Sequence, residues 1–229
     1  MNSSKETIIV AVDGPSASGK STVSRRTAKE VGFLYVDSGA MYRGITWKCV
    51  KEGIDPKDFQ SVTNLLIRIK MELVVKDGAV TYLIDGEDPG QEIRGQAVRE
   101  HVADIAAQQP VRVYIVQKLR EMAKFGSLVM EGRDIGSVVF PDTPFKYYLD
   151  ADPEERARRR AAELKVSEGN ADQAAVLSSL KRRDQKDSSR ATAPLQIALG
   201  ARIINSTGMT IEQVVDVILG DLRSAGVIA

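Results

Sequence analysis

The chain has 229 residues, and 32 Lys and Arg against 31 Asp and Glu leave a formal net charge of +1. A hydrophobic fraction of 43% supports a packed core, whereas one cysteine and one histidine exclude a disulfide framework, thiolate or imidazole metal sites and a Ser-His-Asp triad. The near-neutral balance argues against a dedicated nucleic-acid binder, and no apolar run reaches the roughly 18 residues of a membrane helix. We therefore expect one domain with an insert, in the cytoplasm, with no nucleic-acid or membrane partner.

The first part of the chain alternates strand and helix patterns. β-Branched apolar residues over 7–13 predict a buried parallel strand that ends at Gly14. The patterns that follow predict a helix over 20–31, a strand over 33–37 and a helix over 39–52. Asp55 followed by Pro56 is typical of a further helix start, with the carboxylate as its cap.

A hairpin pattern interrupts this alternation. Residues 70–75 and 80–85 alternate in polarity around Asp77-Gly78, a dipeptide typical of tight hairpin turns. We therefore predict an inserted subdomain over about 68–109. Helical patterns cover 97–107 and 111–124.

The strand–helix alternation resumes in the second half of the chain. It predicts strands over 127–131, 144–150 and 202–205, a helix from Asp152-Pro153, and a last helix that Thr210 and Gln213 cap. This pattern predicts an α/β fold with a parallel sheet covered on both faces. Ligands of such sheets bind beyond the carboxyl ends of the strands.

A glycine-rich loop follows the first predicted strand. GPSASGKS, from Gly14 to Ser21, matches G-x-x-x-x-G-K-[ST] between a strand and a helix, which is the context of a phosphate-binding loop. Backbone N–H groups and the positive end of the helix attract phosphates, Lys20 adds a point charge, and Ser21 offers an oxygen to Mg²⁺. The residues expected to bind ATP are Gly14, Pro15, Ser16, Ala17, Ser18, Gly19, Lys20, Ser21 and Thr22.

The loop alone leaves several classes open, because switch GTPases, motors, transporter ATPases and small-molecule kinases share it. The sequence has no N-K-x-D motif for reading guanine, and the chain is short for a motor. Arginines at other predicted strand ends and helix faces favour a kinase. They are Arg43 in DSGAMYR, Arg133 in EGRD, the set Arg156, Arg159 and Arg160, and the set Arg183 and Arg190 with Asp187.

These arginines suit a reaction between two phosphorylated nucleotides. A terminal phosphoryl group carries roughly −1.5 to −2 charges, so that catalysis depends on positioning and on neutralising charge. Two helices flank the polar turn at 167–170 and would form a flap that excludes water from the phosphates. Structural Arg–Asp pairs and solvated helix faces are the alternative interpretation of each cluster.

Taken together, the motifs resemble those of bacterial-type cytidylate kinases, a family of the nucleoside-monophosphate kinase group. The match covers nearly the whole chain, through GPSASGKST, DSGAMYR, EIR, GRDIGSVVFPD, DADPEERARRR, RRDQKDSSRATAPL and NSTG. GRDIG…VFPD and RD…D…R…APL are specific to that family, whereas the phosphate loop is not. The resemblance implies transfer of the γ-phosphoryl group of ATP to CMP or dCMP with Mg²⁺.

The resemblance also implies an architecture. We expect one P-loop kinase domain over 1–229, with a five-stranded parallel core and helices on both faces. A helical lid would cover about 153–190, and the insert at about 68–109 would be a monophosphate-binding subdomain with a small antiparallel sheet. We expect the chain to be a monomer.

Residue roles follow from the same resemblance. Ser38 and Arg43 would hold the phosphate of the acceptor together with Arg133, while Asp134 and Arg112 would read the base. Arg183, Asp187 and Arg190 would contact the sugar and phosphate of the acceptor. Lys20 and the lid arginines Arg156, Arg159 and Arg160 would stabilise the charge in transfer, and Ser21 would bind Mg²⁺, whose waters Asp13, Asp37 or Glu131 would hold.

The chain departs from the family pattern before Arg112, where AAQQPVR has its proline one place later, and at two further positions. Ala103 stands where the family commonly has a serine that is expected to hydrogen-bond cytosine, so discrimination of CMP from UMP should weaken. Glu131 stands where aspartate is frequent. A kinase for UMP or AMP and a regulatory P-loop ATPase remain the alternative functions; RNA binding through 158–160 and 181–183 lacks interleaved aromatic residues.

Overall fold

The structure is a computed structural model that describes residues 7–168, 172–188 and 195–229. Strands and helices alternate along the chain, with short helical turns at Glu92–Arg94 and Met122–Phe125 and one π-helical turn at Ile135–Val139. The strands are β1 Ile9–Asp13, β2 Leu34–Asp37, β3 Met71–Lys76, β4 Ala79–Ile84, β5 Leu128–Gly132, β6 Phe145–Asp150 and β7 Arg202–Asn205. The helices are α1 Lys20–Val31, α2 Ser38–Lys51, α3 Phe59–Arg68, α4 Gln96–Ala107, α5 Gln109–Glu121, α6 Pro153–Glu168, α7 Gln173–Ser188 and α8 Ile211–Ser224.

One sheet organises the fold, in the order β3-β4-β2-β5-β1-β6-β7. The strands β2, β5, β1, β6 and β7 are parallel, which confirms the predicted core. The hairpin β3–β4 is antiparallel, as predicted for the insert, and β4 also joins β2 in parallel at Tyr35 and Ala79, which extends the sheet to seven strands. Alternation along the hairpin predicts its strands well but contains no information on which neighbour its free edge meets.

The central strand β1 shows why helices cover both faces. All five of its residues are buried. Ile9 and Ala11 pack into the core under α2, α3, α4 and α5, whereas Val10 and Val12 pack into the core under α1 and α8. Period-two alternation of apolar residues on a strand therefore creates two hydrophobic layers, and both must be covered.

The start of α3 differs from the prediction. Asp58, not Asp55, caps this helix, because its Oδ1 accepts hydrogen bonds from the N–H groups of Gln60 at 3.1 Å and Ser61 at 3.2 Å. Asp55 instead accepts from the N–H of Lys57 at 2.9 Å, in the turn that precedes the helix. Asp55 and Asp58 are both suitable N-cap residues, and the helix begins directly after the second of them.

The strand register brings acidic residues to one edge of the sheet. Asp13 ends β1, and its register partner is Gly132 on β5, while Asp37 at the end of β2 is the partner of Glu131. The phosphate loop leaves the sheet at this edge. In the described parts of the chain, no helix has both the length and the apolar character needed to cross a membrane.

We expect Gly44→Ala to destabilise the fold. A Cβ at Gly44 would lie 2.5 Å from the hydroxyl oxygen of Tyr82. The Tyr82 side chain is buried and donates a hydrogen bond to the carbonyl of Ala40, so it cannot move away without losing that bond. Overpacking of this kind should lower the free energy of unfolding by about 1–3 kcal/mol in urea titrations. The matched control is Gly220→Ala in α8, where the added Cβ meets no atom within 4 Å. This substitution should raise the free energy of unfolding by about 0.5–1 kcal/mol. Equal effects of both substitutions would contradict this interpretation of α2 packing.

Candidate active site

The phosphate loop connects β1 to α1 and fits tightly against β6. Gly14 has a φ of 148°, and a Cβ there would overlap the backbone carbonyl oxygen of Leu149. Gly19 has a φ of 94° directly before α1 begins at Lys20. Both positions need glycine, one because of close backbone approach and the other because of a left-handed conformation. The predicted strand, loop and helix are confirmed.

Lys20 is buried in the loop and bonded to it. Its Nζ donates to the carbonyl oxygen of Pro15 at 2.6 Å, and the hydroxyl of Ser18 donates to the same oxygen at 3.1 Å. Burial and, next, the positive charge of Arg133 together lower the pKa of Lys20 to about 7, against the opposing effects of Glu131 and Asp13. The ammonium group therefore lies in a position that an additional anion would stabilise.

Three carboxylates surround the loop at the strand ends, and each has partners in the protein. Asp13 accepts from the N–H groups of Ile135 at 2.9 Å and Gly136 at 2.8 Å, and burial raises its pKa to about 6. Glu131 accepts from the hydroxyl of Tyr35 at 2.6 Å. Asp13 thus holds the π-helical turn that follows Asp134, which is a structural task that the sequence interpretation did not assign to it.

At the end of β2, Asp37 both caps α2 and holds Arg43. Its Oδ1 accepts from the N–H of Ala40 at 2.9 Å, and its Oδ2 accepts from Nη2 of Arg43 at 2.7 Å. The hydroxyl of Ser38 donates to the carbonyl of Glu131 at 2.6 Å. The Nε of Arg43 is buried without a hydrogen-bond partner among the described residues, so this guanidinium retains a donor.

Two arginines from different elements meet at Ser16 in the phosphate loop. Nη2 of Arg133 donates to the Ser16 hydroxyl at 2.8 Å, and its Nε donates to Asp187 at 2.9 Å. Nη1 of Arg156 donates to the Ser16 carbonyl at 3.3 Å and is ion-paired with Asp184. Both carboxylates belong to α7, so this helix reaches the loop through the two arginines.

The other two lid arginines have different surroundings. Arg159 also reaches the loop, because its Nη1 donates to the carbonyl of Ser18 at 3.3 Å. Arg160 is ion-paired at 2.8 Å with Glu163 on its own helix. The shared face predicted for these arginines therefore brings Arg156 and Arg159 to the loop, while Arg160 bonds along α6.

A buried ion pair lies beyond the end of β5. Arg112 on α5 is paired with Asp134, and both side chains are buried. Nη1 of Arg112 is also 3.4 Å from the carbonyl oxygen of Ala106 at the end of α4, and its guanidinium lies 5.8 Å from the ring centroid of Tyr42. The two residues expected to read a base are thus adjacent and bonded to each other.

The structure brings most of the predicted residues to one edge of the sheet. The loop, Arg133, Arg156, Arg159 and Asp187 are linked by hydrogen bonds, and Ser38 and Arg43 occupy the adjacent strand end. The side chain of Arg183 and the whole of Arg190 lie outside the described residues. Ser21 and Thr22 are exposed at the start of α1.

Four residues that hold this site were missed in the sequence. Asp184, Glu155 and Ser206 bond to lid arginines, and Tyr35 bonds to Glu131. A weak signal exists for Asp184, because it is three residues before Asp187 and so shares its side of a helix. NSTG at 205–208 is one of the motifs shared with the family, but nothing in it indicates a contact with the loop.

The oxygen donors beside the phosphate loop include few that could bind Mg²⁺ directly. Among the residues described, no group of three or more His, Cys, Asp or Glu side chains could hold a metal ion. The exposed Ser21 hydroxyl beside the phosphate loop is an oxygen donor of the kind that Mg²⁺ accepts alongside water and phosphate. The residues therefore fit an ion that is held mainly by a bound triphosphate.

Lys20→Met should remove a pH-dependent part of the stability. Between pH 7 and about 10 the unfolded wild-type chain keeps the Lys20 proton that the folded chain has lost. The free energy of unfolding of the wild-type protein therefore rises with pH by at most about 1.4 kcal/mol per unit. The variant lacks this slope, so its stability relative to wild type should be greatest below pH 7 and decrease as the pH rises. Urea titrations at pH 6, 7.5 and 9 measure the difference; a difference independent of pH would contradict the lowered pKa.

Comparisons with known proteins show the family to which this chain belongs. A family model described as cytidylate kinase matches residues 10–224. A cytidylate kinase of Pelotomaculum thermopropionicum is 43% identical over 218 residues, 95% of this chain and 96% of that protein. A cytidylate kinase of Caldanaerobacter subterraneus subsp. tengcongensis is 42% identical over 217 residues, 95% of each.

A solved structure supports the fold alone. The crystal structure of an uncharacterized protein from Eubacterium ventriosum has a TM-score of 0.53 at 14% identity and covers 95% of this chain and 99% of that one. The sequence relatives show the family as well. Their identity extends over almost the entire chain, and the family model spans the loop, the arginines and the helices α6 and α7. The chain belongs to the cytidylate kinase family and is a nucleoside-monophosphate kinase, a phosphotransferase.

Proposed function

We propose that this chain transfers the γ-phosphoryl group of ATP to CMP or dCMP, forming ADP and CDP or dCDP. The observation that carries the proposal is the meeting of Arg133 and Arg156 at Ser16, since it brings cations from two separate segments to the phosphate loop. Relatives named cytidylate kinase support cytosine as the base of the acceptor. The cytoplasm is the compartment we propose, and a monomeric state stays a prediction.

The phosphate loop would bind the donor. Its N–H groups and the start of α1 would surround the phosphates of ATP, and Lys20 would exchange the Pro15 carbonyl for a phosphate oxygen. Ser21 would hold Mg²⁺, which when bound neutralises part of the triphosphate charge. Asp13, Asp37 or Glu131 would hold the waters of the ion; Asp13 and Asp37 each also accept hydrogen bonds from the protein through both carboxylate oxygens.

The acceptor would bind between β2, β5 and the insert. Ser38, Arg43 and Arg133 would hold its phosphate, with the free Nε of Arg43 as one donor. Arg112 and Asp134 would read cytosine, the carboxylate accepting from the exocyclic amino group. Arg183, Asp187 and Arg190 would contact sugar and phosphate, and Asp187 would accept from ribose or deoxyribose hydroxyls.

Transfer would be in line, without a covalent enzyme intermediate. The attacking phosphate oxygen is already ionised, so that no general base is required, and the task of the protein is to hold two anions together. Lys20 and Arg156 would stabilise the moving charge. That Arg159 and Arg160 also stabilise the moving charge stays a prediction. Both guanidinium groups donate hydrogen bonds to protein oxygens.

We also propose the domain organisation that this chemistry needs. The chain would act as one kinase domain, with an acceptor-binding insert at about 68–109 and a lid at about 153–190. The lid would close over the phosphates and exclude water, which would otherwise accept the phosphoryl group. Ion pairs between α7 and Arg133 or Arg156 support a lid that reaches the loop.

The choice of acceptor has a direct test. With ATP and Mg²⁺, a coupled ADP assay over CMP, dCMP, UMP and AMP should give the highest kcat/KM for CMP or dCMP. Lys20→Ala should lower kcat by roughly 10²–10³-fold while the fold is retained, because it removes a charge at the transferred group. The matched control is Lys29→Ala, on the exposed side of α1. Preference for UMP or AMP, or ATP loss that needs no acceptor, would reject the proposal in favour of the alternative kinase or ATPase.

Ala103 allows a second test, of base selection. Ala103 lies one helical turn before Ala106, the residue whose carbonyl contacts Arg112. Ala103→Ser should supply a hydrogen bond to cytosine and raise the CMP-to-UMP ratio of kcat/KM about three- to tenfold. Ala107→Ser adds the same hydroxyl at an exposed position of α4 and should leave the ratio unchanged. An equal ratio in both variants would rule out this role for position 103.

A further inference from the structure

Ser206 lies in the turn between β7 and α8 and is fixed to the sheet. It is buried, and its N–H donates to the carbonyl of Asp150 at 2.8 Å, which continues the pairing of β7 with β6. Its hydroxyl donates to the carbonyl oxygen of Ser18 at 3.2 Å. A residue far along the chain thus bonds to the middle of the phosphate loop.

Arg159 bonds to both of these groups. Its Nη1 donates to the Ser206 hydroxyl at 3.0 Å and to the Ser18 carbonyl at 3.3 Å, and its Nη2 donates to the Ser206 carbonyl at 2.9 Å. Its Nε donates to Glu155 at 2.8 Å. Hydrogen bonds to protein oxygens therefore involve all three nitrogens of this guanidinium.

Arg156 differs in this respect, although it is on the same helix. Its Nε donates to Ala151, and its Nη1 donates to Ser16 and Asp184. Its Nη2 forms no hydrogen bond with any residue that the structure describes. Arg156 thus has a nitrogen available for a phosphate, whereas every nitrogen of Arg159 already donates to a protein oxygen.

The orientation of the Ser18–Gly19 peptide explains what the bonds to Ser18 accomplish. In a planar trans peptide the C=O and the following N–H point in opposite directions. Ser206 and Arg159 hold the Ser18 carbonyl on the side of α6 and α8, so the N–H of Gly19 is directed away from that side. Nη1 of Arg159 also lies 3.6 Å from the site of a Cβ on Gly19, next to the same peptide.

We propose that Ser206 and Arg159 are positioning residues for ATP, which together hold the Ser18 carbonyl and thereby direct the N–H of Gly19 toward the phosphates. The proposal rests on the proposed kinase function, because it concerns the donor side of that site. The Ser206 hydroxyl is suited to the role because it donates and accepts at once. Neither residue needs to touch the nucleotide.

Titration calorimetry with AMP-PNP and Mg²⁺, in the absence of an acceptor, tests the proposal. Ser206→Ala should weaken binding about three- to tenfold, and Ser206→Thr, which keeps the hydroxyl, should bind within about twofold of wild type. The matched control is Ser24→Ala, because Ser24 is buried on α1 and its hydroxyl has no partner among the described residues. Wild-type binding by Ser206→Ala, or equal loss in the Ala and Thr variants, would overturn the proposal.

Arg159→Gln gives an independent measurement at the same carbonyl. If the two residues act as a unit, Arg159→Gln combined with Ser206→Ala should bind little worse than Arg159→Gln alone. Losses that multiply would contradict a shared action. Thermal unfolding of each variant with and without AMP-PNP separates folding defects from binding defects.

Kinetics supply a readout that a merely structural role would not move. Ser206→Ala should raise KM for ATP about three- to tenfold and leave KM for CMP at saturating ATP within about twofold. Equal rises in both KM values would reject the assignment to the donor side. If the wild-type chain did not phosphorylate CMP, the proposed function would fail, while the calorimetric comparison would still decide the positioning role.

Discussion

Cationic side chains at the carboxyl edge of the sheet need oxygen partners within hydrogen-bond distance, and most of the site follows from this need. Four arginines satisfy it with aspartates: Arg43 with Asp37, Arg112 with Asp134, Arg133 with Asp187 and Arg156 with Asp184. Lys20 satisfies it with a carbonyl of its own loop. Such pairs keep the positive charges compensated and in place, and they can be exchanged for phosphate oxygens, which a guanidinium binds with the same bidentate geometry.

The sheet supplies the rigid frame for these exchanges. The register places Asp13, Asp37 and Glu131 at the ends of three neighbouring strands, and the loop begins where β1 ends. Close packing leaves little freedom there, since Gly14 lies against the backbone of Leu149. The helices α6 and α7 lie outside the sheet; α6 adds Arg156 and Arg159, and ion pairs join α7 to Arg133 and Arg156.

How much of this was predictable depends on the range of the interaction. The phosphate loop, the helix over 20–31 and the strand over 202–205 depend on local patterns and match the structure. The partners of the arginines do not: Asp184 is 28 residues from Arg156, and Ser206 is 47 residues from Arg159. Such contacts depend on how two elements pack in space, which periodicity along one element does not encode. The side chain of Arg183, and Arg190, lie outside the described residues, so their roles stay predictions.

The junction between the hairpin and the parallel strands has a mechanical consequence. Within the described residues, β2 and β4 share the single residue pair Tyr35 and Ala79, whereas β1 and β5 share five pairs. A cavity of about 180 Å³ is lined by residues of both β2 and β4 beside that junction. With so few backbone pairs at the junction, the hairpin depends on side-chain packing for its position, as in the contact of buried Tyr82 with Ala40 and Gly44.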